Sequence, residues 1–289
     1  MNIVLGCHEE AFALGPLDLR WKYITGEANG PACLIHEHDC DFWPGFQKIY
    51  SPDKNFFVEL SSYSGKHYFV TNNLLEHGAG RHLNHPDIEV IPIHLVRDGR
   101  ALAASYHRKF PDKHFIQAIT EFLQPSFSLF QFETDPSSCL SLRYEDILND
   151  QPGYLKRIGK FVGLDYDPSA LRFWEWRHHL VFGNPGTIAL VRMGEGLPPG
   201  DFVGVEFYRR QFDALSSGKN VAFIDNRHMQ SLSRLDRYIF DKLAGADNER
   251  FGYQRDIFSA REVSEFRSQI IDILNNCQIP DTFVEKLLD

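Results

Sequence analysis

The chain has no uninterrupted apolar run near the roughly 18 residues that a membrane-spanning helix needs, and its first residues show no basic-then-apolar leader. Both absences predict a soluble protein with no membrane partner. Cysteine is sparse. Five cysteines in 289 residues, an odd number spread along the chain, do not suggest a disulfide framework, and a reducing cytoplasm is the simplest compartment. Glycine-rich nucleotide loops are missing as well. Neither GxxxxGK followed by Ser or Thr nor GxGxxG occurs, so a nucleoside triphosphatase or dinucleotide-binding fold lacks its fingerprint. Internal repeats, heptad arrays and low-complexity tracts are also absent, which excludes solenoids and long coiled coils.

With 43% apolar residues, the chain can bury a large core in one α/β unit with a helical appendage. Its most informative stretch runs from Ile88 to Lys109. Val90, Ile91, Ile93, Leu95 and Val96 predict a buried parallel strand, with Pro92 the one residue against it. After Arg97 the pattern turns helical, and Asp98 is available as N-cap. Backbone amides are then expected to point out of the strand's carboxyl end, as at phosphate sites. Arg97, Arg100, Arg108 and Lys109 face a single carboxylate, Asp98, in a chain of net charge −9. A local cationic site on an acidic protein predicts a specific anion rather than nucleic acid. Ser105 lies eight residues after Arg97, roughly 12 Å along a helix, so the two share one phosphate only if Arg97 reaches forward. The bland alternative is a helix start with a solvated basic face.

Elsewhere, 67–71 reads as a short strand that would form a βαβ unit with a helix near 73–83 and the Ile88 strand. Helices are predicted over 115–123, 154–162 (ended by Gly163), 168–177, 205–215 and 231–243 (stopped by Gly245), with helical spacing again over 260–288. Residues 194–200, rich in Gly and Pro, predict a mobile loop.

The Arg97-Asp98-Gly99-Arg100 element with Ser105 resembles the 3′-phosphate-binding element of sulfotransferases that use 3′-phosphoadenosine 5′-phosphosulfate (PAPS), bacterial type. The likeness continues in Leu140–Leu164, similar to that family's short strand ending in YED and helix closing in FxGL, where Tyr144 would contact the adenine. His178–Asn184 is similar, more loosely, to a segment that ends in Gly-Asn and folds over the nucleotide, with the following basic residue supplied by Arg192. The likeness spans most of residues 5–253. It implies a P-loop-like three-layer parallel sheet flanked by helices as domain 1–253, and a helical extension, 254–289, packed on it. The implied cofactor is PAPS or its product 3′-phosphoadenosine 5′-phosphate (PAP), held by Arg97, Ser105, Tyr144, Lys109, Asn184 and Arg192, with no metal required. The implied acceptor is a small molecule, glycan or peptide with a hydroxyl or amine.

Parts of the family pattern are missing. The phosphosulfate-cradling first strand and loop are not there, and residues 1–15 resemble the helix and turn that follow them. The resemblance therefore implies a start further upstream, or a remnant that binds PAP or a partner without turnover. Pro16 occupies the family's usual Glu base position, which leaves Asp18 and His8 as candidate bases, and the Ser-Lys element is replaced at Thr71-Asn72. Trp43, Phe57, Tyr63 and Trp174 are candidates for an acceptor pocket or for core packing. A rival reading starts from Cys33, His36, His38 and Cys40, a zinc-ligand set in an unusual spacing that would make the 30–60 region a metal-stabilised binding module. The resemblance treats the same region as a Cys-containing insert ending at Trp43.

Overall fold

The computed structural model describes residues 1–17, 20–72, 82–123, 139–202, 204–219, 228–275 and 279–288. The chain folds as two units, residues 1–91 with 151–221, and residues 92–150 with 222–289. The strands are β1 (Ala11–Gly15), β2 (Tyr68–Thr71), β3 (Ile93–Val96) and β4 (Leu140–Arg143). Helices of eight residues or more are α1 (Phe56–Ser64), α2 (Gly99–Lys109), α3 (Gln151–Val162), α4 (Pro185–Gly194), α5 (Val205–Ser216), α6 (Arg234–Arg250), α7 (Ala260–Leu274) and α8 (Asp281–Leu288). Among the described residues the strands form two parallel ladders of two, β1 with β2 and β3 with β4.

In the first unit the N-terminus departs from the helix and turn expected over residues 1–15. Only Asn2–Leu5 is helical, and Ala11–Gly15 pairs with β2 in register Ala11↔Tyr68. Gly6 permits this, because a Cβ there would stand 2.5 Å from the Ala13 Cβ. Gly15 leaves the strand at φ +74, and a side chain would meet the Phe182 carbonyl at 2.3 Å. An aromatic core of Trp43, Phe46, Phe56, Leu60, Leu14 and Val181 fills this unit. Trp43 and Phe57 belong to that core and Trp174 is buried, while the Tyr63 hydroxyl donates to the Phe42 carbonyl at 3.2 Å. These rings pack the interior. The helix expected over 168–177 is replaced by two 3-10 turns, Pro168–Leu171 and Phe173–Glu175, the first capped by Asp167. Gly163 ends α3 at φ +79, as its position predicts. Residues 194–200 are tied down: the Leu197 amide donates to the Arg192 carbonyl at 2.7 Å and Arg192 Nε donates to the Pro198 carbonyl at 2.6 Å. The helix expected near 73–83 falls mainly on residues 73–81, outside the described residues.

In the second unit the strand expected from Ile88 begins only at Ile93. Pro92 has no amide for a ladder but its carbonyl accepts from the Leu140 amide at 3.1 Å, so pairing starts directly after it. Nor is the run covered on both faces, since Val90 and Leu95 are exposed. Val96 stands opposite Arg143. The core joins Ala103 and Ala104 of α2 to Phe115, Ile116, Ile119, Ile239, Leu243, Phe266, Ile270 and Leu287. The tail from residue 254 thus shares the core of the unit that carries β3 and β4. Gly245 does not stop α6, which runs on to Arg250.

Candidate functional site

Parallel pairing of β3 with β4 delivers Arg97 and Tyr144 side by side at the strands' carboxyl ends, each one residue beyond the paired Val96 and Arg143. The Arg97 guanidinium carbon lies 5.0 Å from the centroid of the Tyr144 ring. Both side chains are half-buried. Arginine offers a rigid fork that matches phosphate oxygens, and the tyrosine face can stack on a base.

The amides at the start of α2 do not face a ligand, contrary to the sequence expectation. The Asp98 amide donates to Glu145 Oε1 (3.2 Å), the Gly99 amide to Asn248 Oδ1 (2.8 Å) and the Arg100 amide to Asp98 Oδ1 (3.0 Å). Asp98 is the N-cap, as predicted, but the cap and its neighbours consume the donors an anion would use. Arg100 is also spoken for. Its guanidinium is buried against both Asp98 oxygens (2.7 Å to Oδ2) and bonds Asp256 Oδ2 at 3.1 Å, and Asp256 is shared with Arg237. The Arg97 guanidinium, by contrast, stands over the Tyr144 ring. Lys109 is the last residue of α2, exposed and roughly 15 Å along the axis from Gly99, so it does not share a phosphate with Arg97. Ser105 sits half-buried in the middle of the helix. Glu145, the second residue of the YED triplet, accepts from the Asp98 amide and also from the Tyr253 hydroxyl at 2.5 Å. Burial and that carboxylate push the Tyr253 hydroxyl well above the ordinary tyrosine range.

The remaining predicted residues lie in the other unit. Asp18 is outside the described residues. His8 stands between the first helical turn and β1, where its Nδ1 accepts from the Glu10 amide at 3.1 Å and its ring meets Tyr166 edge-on at 5.2 Å. It lines a cleft of about 280 Å³ with Phe12, Phe42, Lys66, His178 and His179. Asn184 caps α4, accepting from the Gly186 amide at 2.9 Å. Arg192 Nη1 donates to the Ile35 carbonyl (2.8 Å) and to Glu37 Oε1 (2.9 Å), so it braces the 33–40 loop. Both side chains are engaged by the fold.

That loop carries the feature the sequence placed only in part. Cys33, His36 and Cys40 converge with His179, their ligating atoms all within 4.8 Å of one another. His38 is exposed on a 3-10 turn and stands outside the group. Cys33 Sγ is 3.5 Å from His36 Nδ1, and Cys40 Sγ is 3.4 Å from His179 Nδ1. His36 Nε2 lies 2.6 Å from Glu195 Oε2. The Leu34 amide donates to the Leu180 carbonyl at 2.8 Å and Trp43 Nε1 to the His179 carbonyl at 2.8 Å, which locks the loop to the 179–180 strand of chain. A hydrogen bond from the Cys33 thiol, with His179 alongside, pulls Cys40 below the ordinary thiol range, while the same bond and burial push Cys33 above it. Nothing adjacent in sequence marks His179 as a partner of this loop. Comparison with protein-family models, with curated proteins and with solved structures gave no match to this chain.

Proposed function

We propose that this chain binds a 3′-phosphorylated adenine nucleotide of the PAPS/PAP class at the Arg97–Tyr144 junction and belongs to the sulfotransferase lineage. The observation that carries the reading is the 5.0 Å contact between the Arg97 guanidinium and the Tyr144 ring. These are the two residues to which the family resemblance gives the 3′-phosphate and the adenine. The fold proposal goes with it: β3 and β4 are members of a P-loop-like parallel sheet. In the proposed reaction an acceptor hydroxyl or amine attacks the sulfur of PAPS and a new O–S or N–S bond forms. The bond from sulfur to the 5′-phosphate oxygen breaks, PAP leaves with the electron pair, and a base takes the acceptor's proton. Because the first amides of α2 are engaged within the fold, the proposal gives the 3′-phosphate to the Arg97 side chain.

Calorimetric titration with PAP and, separately, with adenosine 5′-monophosphate tests the reading. The proposal expects PAP to bind at least tenfold more tightly, because only PAP carries the 3′-phosphate for Arg97. Equal affinities, or no heat from either, contradict it.

A further inference from the structure

We propose that Cys33, His36, Cys40 and His179 form a structural zinc site. This inference is independent of the nucleotide reading, since all four residues lie in the unit that does not contain Arg97 and Tyr144.

Ligand atoms at ~2.0–2.3 Å from a tetrahedral zinc stand roughly 3.5 Å apart. Two of the four sulfur–nitrogen separations here are 3.5 and 3.4 Å, and no pair of the four ligand atoms exceeds 4.8 Å. Both histidines turn Nδ1 inward. The opposite nitrogen of His36 meets Glu195, the carboxylate–histidine arrangement that orients a zinc-bound imidazole and raises its basicity. Charge also balances, because two thiolates and two neutral imidazoles neutralise a divalent ion in a place where Cys33 and Cys40 are buried. Thiolate with imidazole selects zinc over magnesium or calcium, which take oxygen ligands. Four protein ligands leave no open position, so the ion is structural rather than catalytic.

The bonds around the cluster show what the ion would fasten. Arg192 already ties the 33–40 loop to α4, and the Leu34–Leu180 contact ties it to residues 179–180. Zinc would add a clamp between segments far apart in the chain. His179 stacks on Phe42, ring centroids 4.8 Å apart, and both line the cleft that contains His8. The site thus fixes one wall of that cleft.

The test uses the full chain purified reduced and without chelator. Elemental analysis is expected to give one zinc per chain. After chelation, anaerobic cobalt(II) titration is expected to produce the strong visible absorption and thiolate-to-metal charge transfer of a tetrahedral sulfur–nitrogen site. His179→Gln should lose the zinc and His38→Gln should keep it, which separates the folded cluster from the local sequence pattern. Because a His179 variant can fail to fold, the cobalt spectrum of the unaltered chain decides. A folded, reduced chain without the cobalt–thiolate band overturns the proposal, as does a Cys33–Cys40 disulfide in anaerobically prepared protein, or zinc lost by His38→Gln and kept by His179→Gln.

Discussion

The Arg97 guanidinium lies over the Tyr144 ring, 5.0 Å from its centroid, although the two residues follow different strands. Parallel pairing of β3 with β4 is what makes them neighbours. A 3′-phosphate on the arginine and a purine on the ring would share one rigid platform. Tyr144→Ala is therefore expected to weaken PAP binding by about 1–3 kcal/mol, the range for a base stacked on an aromatic ring. Tyr144→Phe should bind like the unaltered chain. Calorimetry on the two variants checks this, and equal losses in both would point to the hydroxyl instead.

Asp256 joins two arginines, Arg100 at 3.1 Å and Arg237 at 3.1 Å, in a site where all three side chains are largely buried. Asp256→Ala leaves two guanidinium groups short of a partner. Loss of one member of a buried ion pair is destabilising by about 3–5 kcal/mol. Urea unfolding should show a drop of that order, and a change below about 1 kcal/mol would show that solvent screens the network.

Gly194 closes α4 with no room for a side chain, since a Cβ would stand 1.7 Å from the Trp174 carbonyl oxygen. Backbone must move to admit it. Gly194→Ala is expected to lower stability by about 1–3 kcal/mol through overpacking. Gly183, whose Cβ would meet only Ile188 at 3.6 Å, should accept alanine within about 0.5 kcal/mol. Thermal unfolding of both variants provides the comparison, and equal melting temperatures would contradict it.

His114 caps the helical turn Phe115–Gln117, with Nδ1 accepting from the Ile116 amide at 3.3 Å and its own amide donating to Gln117 Oε1 at 2.9 Å. Burial holds its imidazole below the ordinary histidine range. The unfolded chain then binds the proton more readily than the folded one, so this contribution is present above about pH 6.5 and is lost as pH falls below it. Urea midpoints at pH 7.5 and 5.5 should differ more for the unaltered chain than for His114→Asn, which keeps a cap but cannot titrate. Identical pH slopes in the two proteins would remove His114 from the acid sensitivity.

Local signals in the sequence translated well into local structure. Asp98 caps α2 and Gly163 ends α3 in the left-handed region. Tertiary commitments were not legible. Arg100 reads like a ligand beside Arg97, yet Asp256, distant in sequence, neutralises it. The amides of Asp98 and Gly99 look free until Glu145 and Asn248 arrive from other segments. Arg192 and Asn184 follow the same rule, being absorbed by the 33–40 loop and the α4 cap. His36 and His38 are equivalent ligands by composition, but only His36 turns inward, and the fourth member comes from His179. Alternation along a short loop cannot encode a partner supplied from so far along the chain.

Nucleotide binding through Arg97 is tested by thermal unfolding of the chain with and without PAP, for the unaltered protein and for Arg97→Ala. A ligand that binds only the native state at 100 times its Kd adds about 2.7 kcal/mol of stability. PAP is expected to raise the melting temperature of the unaltered chain, and Arg97→Ala to abolish that rise while the variant stays folded. An unaltered chain whose melting temperature does not respond to PAP, or an Arg97→Ala chain that responds equally, would contradict it.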